Sequence, residues 1–201
     1  FNIPVEKTYT IKFGVDIGFW IPKEDSSFES NFLFSIGQDP SRDFKTLLKV
    51  KTQKKIHIHT ILLDARNDKN FRITNGTYNK TNFSDKDIRK FYQESFAVIV
   101  PLKNVFQPSG YSVTLQAMAC GKPVILTKTR GLWAPEIFVN FKNCILVNPY
   151  SQIEIEEAIK FLEENKNKYN DICKESRNTI KNHFSIDKAN EVTLDLFRNF
   201  S

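Results

Sequence analysis

Between Ala97 and Thr127 the chain reads AVIVPLKNVFQPSGYSVTLQAMACGKPVILT, and no other stretch limits its fold so strongly. An apolar run leads into a turn at Pro108, Ser109 and Gly110. A short helix follows, with Leu115, Met118 and Ala119 on its inner face, and then a second apolar run. Gly121 stops the helix and Pro123 opens the strand. A strand, a tight turn and a helix in this order aim the free N–H groups of the helix's first turn at the crevice above the sheet, where anions are favoured.

The rest of the chain repeats the alternation. Residues 31–36 (NFLFSI) form the first strand, followed by GQDPSRD and a helix burying Phe44, Leu47 and Leu48. Residues 57–63 are the second strand and 71–74 a short third. Ser84, with Asp87 three residues on, caps a helix carrying Ile88, Phe91 and Tyr92. The last strand is Cys144 to Val147. This pattern predicts an α/β, Rossmann-like open parallel sheet with helices on both faces. A C-terminal helical segment completes the chain. It opens with a capping-box pattern at Ser151 and Glu154 ahead of Ile155, Ala158, Ile159 and Leu162. A second helix covers 169–183, and a third begins near Ser185 with Ala189, Val192, Leu196 and Phe200 on one face.

A length of 201 residues supports one sizeable core and is too short for two Rossmann domains. The net charge of +6 is spread among scattered lysines, without the clustered basic face or reader motif of a nucleic-acid binder. It permits peripheral attraction to anionic lipid heads. Apolar runs such as AVIVPL and CILV fall far short of the roughly 20 residues a membrane-spanning helix needs. Glu6, Lys7, Lys12 and Asp16 interrupt any signal-peptide core, and the chain begins with Phe1 in place of Met, so it reads as an internal fragment. Cys120, Cys144 and Cys173 form no metal or redox pattern and fit a reducing, cytoplasmic setting. The triplets at Asn75, Asn79 and Asn82 are discounted as glycosylation sites without a signal sequence. His57 and His59 share a strand face but lack a third metal ligand.

The AMACGKPVI run with its preceding glycine turn, FGVD at residues 13–16, and SIGQDPSRDFKTL at 35–47 together resemble the nucleotide-sugar-binding half of glycosyltransferase family 4, also called group 1, of the twin-Rossmann (GT-B) type. The resemblance implies a segment 1–29 that enters the domain and a donor domain at 30–201. It also implies a UDP- or GDP-linked sugar donor, transfer with retention of configuration to an acceptor such as a glycan or lipid-linked glycan, no metal or other cofactor, and a separate N-terminal acceptor domain. Location would be cytoplasmic, at most at the inner face of a membrane. The family marks its site with two glutamates, one before the glycine turn and one just ahead of its AMA. Here the second falls on Gln116, and the first on Pro108 or, allowing one inserted residue, on Gln107.

In open parallel sheets ligands sit at the carboxyl ends of the strands. The loop after the first strand offers Gly37, Arg42 and Lys45 to a diphosphate, with Gln38 where the family has an arginine. The loop after AVIVPL offers Ser109, Gly110, Tyr111 and Ser112, with Tyr111 either covering the sugar or packing under a neighbouring loop. Gln107 and Gln116 would hold sugar and ribose without charge. Glu136 is either a partial replacement for a lost glutamate or an exposed loop acid. Two rivals remain open: a non-catalytic nucleotide-sugar-binding or partner-binding module with a degenerate site, and a nucleotide-sugar epimerase on the same fold.

Overall fold

The computed structural model describes residues 4, 8–9, 11–23, 28–75 and 83–199. The triplet at Asn79, most of that at Asn75, Asn82 of the third, and Phe200, Glu6 and Lys7 lie outside the described residues.

The strands form because short, β-branched runs fit a pleated surface covered on both sides. They are β1 (Phe32–Ile36), β2 (Lys55–Thr60), β3 (Arg66–Asn67), β4 (Phe71–Asn75), β5 (Val98–Val100), β6 (Val124–Thr127) and β7 (Ile145–Val147). The sheet order is β3-β4-β2-β1-β5-β6-β7, parallel throughout except for β3, an antiparallel edge strand without a sequence signal. Alternate residues serve opposite faces. Phe34, Val98, Val100, Val124 and Leu126 belong to one core cluster, and Leu33, Ile99, Ile125 and Ile145 to the other. Each of these side chains, fully buried, contributes roughly 1.5–3 kcal/mol.

The chain runs outward through β1, β2 and β4, then returns to place β5 beside β1. That reversal opens a crevice beyond the carboxyl ends of β1 and β5. The helices are α1 (Phe44–Leu47), α2 (Asp85–Glu94), α3 (Tyr111–Ala119), α4 (Gln152–Glu164), α5 (Lys166–His183) and α6 (Ile186–Asn199), the last without a buried residue among those described. None of the described helices is long and apolar enough to cross a membrane.

Ser84 and Asp87 form the expected reciprocal box at the start of α2. At α4 only half of the pattern exists: Ser151 Oγ accepts from Glu154 N, while the Glu154 carboxylate accepts from N and Nδ2 of Asn148. The second strand starts earlier and stops three residues sooner than its apolar run, because residues 61–63 turn outward after Thr60.

The segment entering the domain is stitched to its core. Val15 N donates to Phe184 O at 2.8 Å, and Ile186 N donates to Val15 O at 3.1 Å. Arg177 of α5 donates to the carbonyls of Ile17, Trp20 and Ala119, joining that segment to the carboxyl end of α3. Lys122, buried just beyond, donates to Gln93 O at 2.6 Å and Ser95 O at 3.2 Å, satisfying carbonyls at the end of α2.

Candidate functional site

Two loops meet beyond the carboxyl ends of β1 and β5. Asp43 N donates to Pro101 O at 3.0 Å, Lys103 N to Ser41 O at 2.8 Å, and Lys103 Nζ to Pro40 O at 2.8 Å. Asp39 closes the join: its carboxylate accepts from Ser41 N at 2.7 Å and from Ser109 Oγ at 2.8 Å. Desolvation acts to raise the Asp39 carboxyl, but these hydrogen bonds and nearby Arg42 outweigh it and hold the group below the usual range.

Arg42 lies inside this frame, only 6% exposed. Its Nε and Nη1 have no hydrogen-bond partner. Burial pushes the guanidinium down to about 10, with Tyr92 and Asp39 acting in the opposite direction. Room for it exists because two residues lack side chains. A Cβ added to Gly37 would collide with Nε, Cζ and Nη2 of Arg42. One added to Gly110 would lie 2.6 Å from Val100 Cγ1 and 3.3 Å from Arg42 Nη1. Gly110 also has φ of 72°, a left-handed conformation that a side chain makes costly.

Gly110 is the N-cap of α3, and no side chain caps that helix. Thr114 N and Oγ1 both donate to Gly110 O, leaving the amides of Tyr111, Ser112 and Val113 as the free donors of the first turn. A buried guanidinium with two unpartnered donors thus stands beside a helix amino end. Leaving two donors of a buried cation unpartnered is costly, and an anion that reaches the guanidinium would relieve that cost.

The structure therefore brings Gly37, Arg42, Ser109 and Gly110 together with the start of α3. The Ser109 hydroxyl is engaged by Asp39. Ser112 is exposed at the helix start. Tyr111 packs under its neighbours, with its ring 4.3 Å from Trp133 and 5.5 Å from Phe13 between centroids. Lys45 points outward from α1, and Gln107 is exposed on the loop before the turn. Gln116 is half-buried and accepts from Tyr92 Oη at 3.3 Å. Glu136 is an exposed acid beside Lys12, at 3.9 Å. His57 stacks on Phe32, with ring centroids 4.4 Å apart. Asp39 and Tyr92 did not stand out in the sequence. The Asp-Pro-Ser turn signals the first, whereas Tyr92 is indistinguishable there from a core residue.

No cluster of three or more metal-ligating side chains occurs among the described residues. A cavity of about 620 Å³ lies at the other end of the sheet, near the amino ends of β2 and β4.

The family model described as glycosyl transferases group 1 matches residues 68–179, more than half of the chain. The chain belongs to the group 1 glycosyltransferases. The matched region includes β5, the glycine turn, α3 and β6. No curated protein matches this group 1 chain. Its fold is shared with a sucrose-phosphate synthase from Thermosynechococcus elongatus at a TM-score of 0.77 and 16% identity, covering 94% of this chain and 52% of that one. It is shared with Anabaena HepE, solved in complex with UDP-glucose, at 0.77 and 17%, covering 98% and 59%. The C-terminal domain of a group 1 family protein, LpcC, from Francisella tularensis superposes at 0.66 and 18%, covering 86% of this chain and 100% of that one. The group 1 chain thus spans little more than half the length of the first two proteins.

Proposed function

We propose that this chain is the C-terminal, donor-binding half of a retaining, family 4 glycosyltransferase that takes a UDP- or GDP-linked sugar. The observation that carries the reading is the buried Arg42, with Nε and Nη1 unpartnered beside the uncapped start of α3. The solved complex of HepE with UDP-glucose and the full overlap with the C-terminal domain of LpcC support it. In this reading the diphosphate lies between Arg42 and the amides of Tyr111, Ser112 and Val113. As the bond to the sugar breaks, negative charge gathers on the diphosphate. Donors fixed before the reaction stabilise that charge more than they stabilise the bound donor, which lowers the barrier. Gln107 and Gln116 take the places of the family's acids and contribute hydrogen bonds without charge. The acceptor, a glycan or lipid-linked glycan, would be held by an N-terminal domain. Retention and independence from metal are carried over from the family resemblance.

One observation favours a second reading, a nucleotide-sugar-binding module without transfer: Gln107 is exposed and Gln116 is engaged by Tyr92, so neither position brings a carboxylate to the crevice. Titration calorimetry with UDP, GDP and their sugars separates donor binding from none. Saturable binding abolished by Arg42→Ala supports the donor site, and no heat with any of them overturns it. Sugar transfer by the full-length protein, lost in the same variant, removes the second reading.

A further inference from the structure

The carboxyl ends of β5, β6 and β7 carry a second surface beside the crevice. The loops there, residues 101–110, 128–136 and 148–151, are stitched to one another. Gly131 N donates to Val105 O at 2.9 Å, Arg130 N to Asn104 Oδ1 at 3.2 Å, and Asn104 N to Tyr150 Oη at 3.1 Å. The first two loops pack flush, since a Cβ on Gly131 would lie 2.3 Å from Phe106 O. From this frame two aromatic side chains face solvent, Phe106 at 73% exposure and Tyr150 at 61%. Exposed rings on a hydrogen-bonded base at the edge of a crevice mark a contact surface. Both present faces and not tips. The Arg130 guanidinium stands over one face of Phe106, with Cζ 4.2 Å from the centroid, and leaves the other open. Tyr150 gives its hydroxyl to the Asn104 amide, so its ring lies along the loop. Its backbone is left-handed, with φ of 63°, where glycine would cost less. The charged side chains of the three loops are Lys103, Lys128, Arg130 and Glu136. Lys103 donates to Pro40 O and Glu136 stands beside Lys12, so the exposed Lys128 and Arg130 set a positive sign around the rings.

We propose that Phe106, Tyr150 and Arg130 form a binding platform for an anionic saccharide, a sugar ring bearing a carboxylate or a phosphate. The negative faces of the aromatic rings meet the slightly positive C–H groups of a pyranose, and the N–H edge of the guanidinium pairs with the anion. A lipid surface fits less well, because insertion needs aromatic side chains that project freely, whereas Tyr150 is tied down through its hydroxyl and Phe106 is covered by a cation. Two rings with Asn104 and the Arg130 backbone between them suit a ligand built of successive rings. Phe106 lies three residues before Ser109, which closes the crevice on Asp39. A saccharide on the platform therefore extends toward the place of the transferred sugar, and this chain takes part in holding the acceptor. That role rests on the donor-site reading above, whereas the binding of the saccharide does not.

The test is titration calorimetry on the chain without nucleotide, with pentagalacturonate as the anionic probe and maltopentaose as the neutral one. The chain should bind the first with a Kd of about 1 mM or below and the second about tenfold more weakly. Phe106→Ala should weaken pentagalacturonate about fivefold. Tyr150→Gly, which frees the left-handed backbone of its side chain, should do the same with circular dichroism unchanged. Arg130→Gln should bring the two probes to about equal affinity. Binding of UDP or GDP should be unaltered in all three variants, which lie outside the diphosphate cradle. No binding of pentagalacturonate, equal affinity of the parent chain for the two probes, or full affinity in Phe106→Ala and Tyr150→Gly overturns the proposal and leaves the donor site standing. Sedimentation with phosphatidylglycerol vesicles that is lost in those two variants, without saccharide binding, assigns the rings to a membrane surface and overturns it as well. Saccharide binding by a chain that takes up neither UDP nor GDP keeps the platform and removes the donor reading with the acceptor role.

Discussion

Ser109 Oγ donates to Asp39 Oδ2 at 2.8 Å, a contact between two side chains that adds to the backbone bonds and the Lys103 Nζ–Pro40 O bond joining the loop that ends β1 to the loop that leads into α3. Ser109→Ala should destabilise the chain by about 1–2 kcal/mol, since a hydrogen bond to a charged group is lost in a mostly buried position. Urea unfolding monitored by circular dichroism measures the change. Nucleotide affinity should fall as well, because ligand binding must then close the frame itself.

Arg42 sets stability against binding. Removing a buried guanidinium whose Nε and Nη1 are unpartnered relieves desolvation, so Arg42→Met should raise ligand-free stability by on the order of 1–3 kcal/mol. The same variant should lose the melting shift that a bound diphosphate produces. Thermal unfolding with and without UDP or GDP reads both effects. A ligand-free midpoint below that of the parent chain would show that the guanidinium is already satisfied.

Gly37→Ala and Gly110→Ala should both be disruptive, for different reasons. The first drives a methyl group into the Arg42 side chain and should abolish diphosphate binding with a moderate stability loss. The second places an alanine at φ of 72° and against Val100, and should cost about 2–3 kcal/mol. Calorimetric binding and denaturant midpoints distinguish the two patterns.

Arg177 is the fastener of the entering segment. Arg177→Met removes donors to the carbonyls of Ile17, Trp20 and Ala119 and should destabilise the chain by about 2–4 kcal/mol. Trp20, buried against Tyr92 in the parent chain, should then show red-shifted fluorescence.

His57 should give the chain an acid-sensitive stability. Burial first, then Arg72 and Lys55, push its ring down to about 4 from the usual 6.5. Between pH 6.5 and 4 the unfolded chain takes up the proton and the folded one does not, so stability falls as pH falls through that window and levels below it. The ring is half-buried, and solvent screening keeps its share near 1 kcal/mol. His59, held down mainly by burial, contributes in the same direction. His57→Phe should flatten part of the slope in melting curves recorded from pH 7 to 4.

The strands and most helix ends were legible because they follow from local periodicity and capping. Leu33 and Phe34, or Ile99 and Val100, alternate between the two cores as their apolar runs require, and Ser84 with Asp87 announces α2. The crevice was legible too, since Gly110 and the helix after it mark a strand-turn-helix passage. What the residues alone do not reveal is direction. Arg42 and Lys45 are three residues apart, yet Arg42, just before the cap of α1, is enclosed and Lys45, within α1, faces solvent. That difference depends on Gly37 and Gly110 making space from separate loops. Tyr92 reads as one more apolar residue of an amphipathic helix until α3 is placed against it. Glu154 fits a capping box in sequence, but Asn148 competes for its carboxylate from the preceding turn.

The space at Gly37 is filled by a side chain belonging to another position, and this makes the order of sequence change matter. A larger residue can enter at 37 only after Arg42 has been shortened, whereas Arg42 can be lost while Gly37 stays unchanged. Among variants of this chain, an arginine at 42 should therefore always be accompanied by glycine at 37, while glycine at 37 should tolerate many neighbours. Decay of the crevice would begin at the charge and reach the glycine last.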